Sequence, residues 1–279
     1  MLLETLDEPL LHTVREALAE DIGSGDITGR LIPADTTARA TVISREAAVL
    51  CGMGWFNAVF AELDDRIRID WEIHDGHPVE QGQLICTLTG PARPILAGER
   101  TALNFLQTLS ATATLARRYA DRVAGLPVRI LDTRKTLPGL RLAQKYAVRT
   151  GGCHNHRTGL YDGILIKENH LAAAGSIQQA VDSARRNNPG MPVEIEVETM
   201  QQITLALEAG AERLLLDNFS LESLRAAVRK VAGRAELEAS GGISLDNVRE
   251  VAETGVDYIS IGSLTKNVQA TDLSMIFSG

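Results

Sequence analysis

The chain has 279 residues, 44% hydrophobic and only 4% aromatic, enough for one α/β barrel or a small domain plus a barrel with an Ala, Val, Ile and Leu core. A net charge of −8 excludes a broad face for nucleic acid or anionic lipid, although a local basic cluster can still bind small anions. Cys51, Cys86 and Cys153 form no CxxC pair, the opening Met1–Leu10 has no basic segment, and no apolar run approaches the ~20 residues of a membrane span; the expectation is a cytoplasmic protein without disulfide framework, structural zinc, signal peptide or membrane anchor.

Apolar spacing predicts a helix from Leu10 to Glu20, ended near Gly23. Short strands follow at Ala38–Ser44, Ala47–Cys51, Ile67–Ile73, His77–Val79 and Leu84–Leu88, punctuated by Gly76, Gly82 and Gly90 and interrupted by a helix from about Gly52 to Leu63. From Pro94 to about Val123 a long helix, apolar at Leu96, Leu103, Leu106 and Leu115, is expected to bridge two domains.

After Leu126 strands alternate with helices. The strands are Val128–Leu131, Gly163–Ile166, Val193–Val197, Arg213–Leu216, Ala235–Ala239 and Asp257–Ile261. Helices are expected at Leu140–Val148, Ile177–Asn187, Met200–Ala209, Leu221–Ala232 and Asp246–Thr254. Repeated βα units imply a parallel sheet covered on both faces, and a barrel of this kind carries its chemistry at the strand C-termini.

Polar residues fall at those ends. Asp132, Arg134 and Lys135 follow the first strand; Lys167, Glu168, Asn169 and His170 follow the second. Glu196 and Glu198 end the third, Asp217 and Asn218 the fourth, Ser240, Gly241 and Gly242 the fifth, and Gly262 and Ser263 the sixth. Between Arg134 and Lys167 the only acid is Asp162, against Arg134, Lys135, Arg141, Lys145, Arg149, Arg157, Lys167, His154 and His156. Such a reversal in an acidic chain suits a small polyanion, because Arg forks onto carboxylate or phosphate and Lys acts as a compact charge. Arg141, Lys145 and Arg149 fit exposed helix positions equally well.

Alternation in Glu194–Glu198 puts three acids on one face, a costly arrangement inside a barrel without lysines or a hydrated Mg²⁺ to offset it. The glycine turns at Ser240-Gly241-Gly242 and at Gly262 suit a terminal phosphate. No nucleophile is evident. Cys153 reads as a small loop residue, His74 and His77 as surface or turn positions, and His12 has no visible partner.

The segments Gly98–Asn104, Asp132–Thr136, Asn155-His156-Arg157, Leu165–His170, Glu194–Glu198, Leu216-Asp217-Asn218, Glu238–Gly242 and Ile259–Thr265, with the opening Glu20–Thr28, resemble the signature segments of quinolinate phosphoribosyltransferases. The resemblance covers nearly the whole chain in order. Ala111 and Cys153 depart from it at positions where many members carry glycine.

The resemblance implies an N-terminal α/β sandwich (residues 1–112) followed by an open α/β barrel (113–279), working as a homodimer with shared active sites. It implies that quinolinate and phosphoribosyl pyrophosphate give nicotinate mononucleotide, pyrophosphate and CO₂ with Mg²⁺, in de novo NAD synthesis. Arg134, His156, Arg157 and Lys167 would hold the quinolinate carboxylates, and Lys135 would sit near the pyrophosphate and reacting centre. Glu196 and Asp217 would face the ribose and metal. Ser240, Gly241, Gly242 and Gly262 would hold the 5′-phosphate, and Arg100 would reach into the partner subunit's site. Three alternatives remain open at this point: a phosphoribosyltransferase for a monocarboxylate such as nicotinate, an aldolase-type barrel with Lys167 as Schiff base, and a metabolite sensor that kept the fold.

Overall fold

The computed structural model describes residues 7–278, so Met1–Leu6 of the opening stretch, read as lacking a leader, lie outside the described residues. The chain divides into two units. The first takes the chain up to Arg117, Thr136–Gly152 and the segment from Leu264 onward; the second takes Arg118–Lys135 and Cys153–Ser263. The chain therefore crosses between units four times, where the sequence reading set one boundary after residue 112.

In the first unit, β1 (Thr37–Ser44), β3 (Arg68–Trp71), β5 (Leu84–Pro91) and β12 (Leu273–Ser278) form an antiparallel sheet in the order β12-β1-β5-β3. A short second ladder joins β2 (Ala48–Val49) to β4 (Pro78–Val79). Period-2 alternation turns Ala40, Val42 and Ser44 of β1 into the core.

Helix α2 (Met53–Leu63) buries Trp55, Phe56, Val59 and Phe60 in one cluster with Val14 of α1 (Asp7–Ile22) and Leu103 and Leu106 of α3 (Ala92–Arg122). Each such side chain contributes roughly 1.5–3 kcal/mol by leaving water. Gly52 starts α2 at φ 119°, and an added Cβ would lie 3.2 Å from Leu109. Asp75 Oδ1 accepts the freed N–H groups of Gly52 and Met53.

The strand β12 was not anticipated, although Leu273, Met275 and Phe277 alternate with Ser274 and Ile276 as a strand should. Helix α4 (Arg141–Thr150) belongs to this unit, and its Lys145 is buried where an exposed position was an equal expectation. Cys51, Cys86 and Cys153 are all buried free thiols.

The second unit is a six-stranded parallel sheet in the order β6-β11-β10-β9-β8-β7. Its strands are β6 (Arg129–Leu131), β7 (Ile164–Ile166), β8 (Val193–Val197), β9 (Arg213–Asp217), β10 (Glu236–Ser240) and β11 (Tyr258–Ser260). Helices α6 (Ile177–Asn187), α7 (Met200–Glu208), α8 (Leu221–Val231) and α9 (Val248–Ala252) connect them, giving an open barrel-like sheet. Ser176, Thr199 and Ser220 cap α6, α7 and α8 through their hydroxyl oxygens, each worth about 1 kcal/mol.

One face of the central strands is fully apolar: Ile195, Val197, Leu214, Leu216 and Ile259 are all completely buried. The register places Glu194 beside Arg213, Glu196 beside Leu215, and Asp217 beside Ser240, so the opposite face carries a column of charge. A parallel barrel usually fills that face with branched apolar side chains. The polar filling here positions the site. No helix among the described residues is long and apolar enough to cross a membrane.

Candidate active site

The column has three levels. At the strand N-termini, Arg213 pairs with Glu236 at 2.7 Å and lies over the ring of Tyr258 at 4.0 Å. Above it, His156 Nε2 stands 3.0 Å from Glu194 and 3.6 Å from Glu238, and Arg213 Nη1 is 3.8 Å from Glu238. At the C-terminal mouth, Lys167 Nζ donates to Glu196 at 2.7 Å, and Asn218 Nδ2 donates to Asp217 at 2.8 Å.

A cavity of about 450 Å³ opens at this mouth, wholly within the second unit. Arg134, Lys135, His156, Arg157 and Lys167 line one side and Glu196, Asp217, Glu238 and Ser240 the other. The strand-end rule thus brings together every expected binding side chain of this unit. It does not bring in Gly241, Gly242 or Gly262, which are outside the lining. Gly241 has φ 96°, and an added Cβ would overlap the Asn218 side chain. A Cβ on Gly262 would come 3.2 Å from Lys135, so this glycine clears the path of the lysine stem. Arg100 belongs to the first unit, is exposed on α3, and has Glu99 at 3.9 Å.

Electrostatics sets the character of each group. Burial first, and then the Glu196 charge, raises the Asp217 pKa; Lys167, Lys135 and a hydrogen bond from Ser240 offset this in part. Burial and the nearby Arg134 charge lower the Arg157 pKa, while its guanidinium donates to Gly163 O at 3.0 Å. Glu238 is fully buried, and burial followed by the Glu194 charge pushes its pKa up to about 8. Burial opposes charge on His156, but the Glu194 and Glu238 carboxylates outweigh it and raise its pKa.

The geometry bears on three expectations. His156 lines the cavity, but its Nδ1 accepts from the Arg157 N–H at 2.7 Å and its Nε2 faces the two buried acids. Lys167 lines it too, but as the ionic partner of Glu196, with a half-exposed side chain. A Schiff-base lysine needs a desolvated amine, and this one is half exposed and hydrogen-bonded to Glu196. Glu198, expected on the face of Glu194 and Glu196, is exposed past the end of β8 and donates its N–H to Gln202.

The sequence reading missed Glu238 and Arg213 as site residues. Glu236-Leu237-Glu238-Ala239-Ser240 alternates just as the segment of β8 does, which was the available signal. It also missed α5 (Glu168–Ala174), whose start is fixed by His170 Nδ1 accepting the Lys167 N–H at 2.9 Å. Among the described residues, the group of three metal-type donors within 4.8 Å is His156, Glu194 and Glu238, not the Glu196–Asp217 pair expected for Mg²⁺. Arg213 Nη1 stands 3.8 Å from Glu238 of that group, while Glu196 and Asp217 line the cavity at the C-terminal ends of their strands, with the carboxylate donors that Mg²⁺ prefers.

A cation-rich wall facing carboxylates at the mouth of a parallel α/β barrel-like sheet defines an enzyme for small polyanionic substrates. The chain belongs to the quinolinate phosphoribosyl transferase family: the N-terminal domain of that family matches residues 26–110 and the C-terminal domain residues 112–276. It is 42% identical to the nicotinate-nucleotide pyrophosphorylase [carboxylating] of Mycobacterium leprae over 270 residues, covering 94% of this chain and 95% of that protein. It is 40% identical over 257 residues to the probable enzyme of that name from Bacillus subtilis, covering 92% and 89%. The solved nicotinate-nucleotide pyrophosphorylase of Francisella tularensis superposes with a TM-score of 0.94 at 44% identity, covering 97% of this chain and 96% of that one.

Proposed function

We propose that the chain transfers the phosphoribosyl group of phosphoribosyl pyrophosphate to quinolinate, giving nicotinate mononucleotide, pyrophosphate and CO₂. The observation that carries this is the cavity wall of Arg134, Lys135, Arg157 and Lys167 set against Glu196 and Asp217. Two carboxylates on a pyridine ring call for that density of cations; a monocarboxylate would leave some unmatched.

The pyridine nitrogen attacks C1 of the ribose as the bond to pyrophosphate breaks, and the leaving electron pair departs with pyrophosphate. Positive charge grows on the sugar, as in glycoside cleavage. Glu196 and Asp217 would stabilise that charge, and Lys135 would meet the departing pyrophosphate. No protein nucleophile is required. The electron pair released as the adjacent carboxylate leaves stays on its ring carbon, stabilised by the positive ring nitrogen beside it, and that carbon then takes up a proton while the nitrogen keeps its charge. Glu196 and Asp217 would also hold Mg²⁺, which supplies charge neutralisation to the polyphosphate when bound. Ser240, with the backbone of Gly241, Gly242 and Gly262, is assigned to the 5′-phosphate.

The working enzyme is a cytosolic homodimer in which the partner subunit's Arg100 completes each quinolinate site. The exposure of Arg100, with no ionic contact closer than 3.9 Å among the described residues, supports this. The test is to incubate purified protein with quinolinate, phosphoribosyl pyrophosphate and Mg²⁺ and to measure nicotinate mononucleotide and CO₂. Product from nicotinate at a comparable kcat/KM would transfer the assignment to the monocarboxylate reaction.

A further inference from the structure

We infer that Asp132 is a positioning residue for this reaction: its buried carboxylate fastens the loop carrying His156 and Arg157 to the strand end carrying Arg134 and Lys135. The inference rests on reading the cavity as the quinolinate site.

Asp132 follows β6 and is completely buried. Its Oδ1 accepts the main-chain N–H of His156 at 2.9 Å, and its Oδ2 accepts Asn155 Nδ2 at 2.6 Å. The backbones are joined as well. His154 N–H donates to Ile130 O at 2.8 Å, and Asp132 N–H donates to His154 O at 3.1 Å. The segment therefore starts as one parallel bridge on the outer edge of β6, pairing Leu131 with His154.

Backbone pairing stops there, and the Asp132 side chain takes over for the next two residues. The placement of Arg157 depends on that hold. The Arg157 N–H donates to His156 Nδ1, and the Arg157 guanidinium donates to Gly163 O. On the other side of Asp132, Arg134 and Lys135 line the same cavity two and three residues on, where the Lys135 N–H donates to Thr133 Oγ1 at 3.1 Å. One carboxylate thus sets the spacing between Arg157 on one side and the Arg134–Lys135 pair on the other.

The choice of residue has a chemical reason. Two N–H donors arrive from one direction, and an ionised carboxylate offers two acceptors and no donor. Asparagine would accept from His156 but turn an N–H towards the Asn155 amide. A buried carboxylate costs several kcal/mol unless its hydrogen bonds are charge-assisted and well formed, and both bonds here are short. A displacement of about 1 Å in a substrate-positioning group costs on the order of 100-fold when the reacting atoms must be held close.

The experiment compares wild type, Asp132→Asn, Asn155→Ala and the double variant Asp132→Asn with Asn155→Asp. In the double variant the new amide at position 132 can donate to the new carboxylate at position 155 while its oxygen still accepts from the His156 N–H. Both bonds then return with the charge moved across the pair. Asp132→Asn should raise KM for quinolinate at least tenfold, about 1.4 kcal/mol, while KM for phosphoribosyl pyrophosphate changes less than roughly threefold. Asn155→Ala should show a smaller rise, and it decides the matter if Asp132→Asn does not fold. The double variant should recover most of the quinolinate affinity.

A wild-type KM in folded Asp132→Asn, equal changes for both substrates, or no recovery in a folded double variant would overturn the inference. A wild-type protein that forms no nicotinate mononucleotide would instead remove the functional reading beneath it.

Discussion

Lys167 Nζ lies 2.7 Å from the Glu196 carboxylate, with the lysine half exposed and the acid nearly covered. A pair this open contributes no more than about 1 kcal/mol to stability. Its value lies in ordering two groups with opposite tasks. Lys167→Ala and Glu196→Gln should each shift Tm by no more than a few degrees yet lower kcat/KM at least ~100-fold, because the proposed mechanism has Glu196 face the sugar cation and the metal. Thermal melts with steady-state kinetics decide this. A large Tm loss with preserved kcat/KM would make the pair a structural strut.

Asp217 gives a sign to the pH profile. Burial and the Glu196 charge raise its pKa, so the ionised form is reached at a higher pH than for an ordinary carboxylate. The acid limb of the single-turnover rate should lie above the usual carboxylate range. In Glu196→Gln the like charge is gone, and the residual rate should keep its acid limb at lower pH. An unmoved limb would assign it to another group.

Substrate choice tests the cation wall. Arg134→Ala or Arg157→Ala should weaken quinolinate binding by roughly 2–5 kcal/mol if the contacts are desolvated, while nicotinate stays a poor substrate for wild type. Calorimetric titration of both variants is the measurement. Undiminished affinity in both would place the diacid elsewhere.

Glu238 predicts a stability slope. Its folded pKa is raised to about 8 by burial and by Glu194, so folding takes up a proton between the ordinary carboxylate range and that value. The stability is present below the unfolded pKa and is lost as pH rises through the folded one. His156, also raised, works in the same direction. Tm should therefore fall from about pH 5 to about pH 8.5 in wild type and fall less in Glu238→Gln. Parallel curves for the two proteins would deny Glu238 that titration.

Subunit sharing can be read by complementation. Arg100→Ala and Lys135→Ala should each be nearly inactive. Mixed under exchange, half the molecules are heterodimers with one site free of both defects, so activity should return to roughly a quarter of wild type. Demonstrated exchange without recovery would assign Arg100 to its own subunit or to no site.

Most of the mouth was legible because parallel strands end together. Once the βα repeat was read, Lys135, Glu196 and Asp217 had to gather there, and alternation put Glu194 and Glu196 on one face. What the spacing could not give is which inward groups meet across strands. That Lys167 would take Glu196, that His156 would turn to Glu194 and Glu238, and that Arg213 would reach up to Glu238 depend on register and on a loop laid against β6. The strand β12 carried a readable period-2 pattern, but its partner lies over two hundred residues earlier, as in the pairing of Met275 with Val42.

That pairing has a consequence for biosynthesis. Until β12 emerges from the ribosome, β1 is an open edge whose N–H and C=O groups lack the partners that Leu273–Ser278 supply. The second unit lies between them in sequence, so its strands can close on their own while the first unit still waits for its last strand. A chain that ends before Leu273 would therefore leave β1 as an unpaired sheet edge open to other strands.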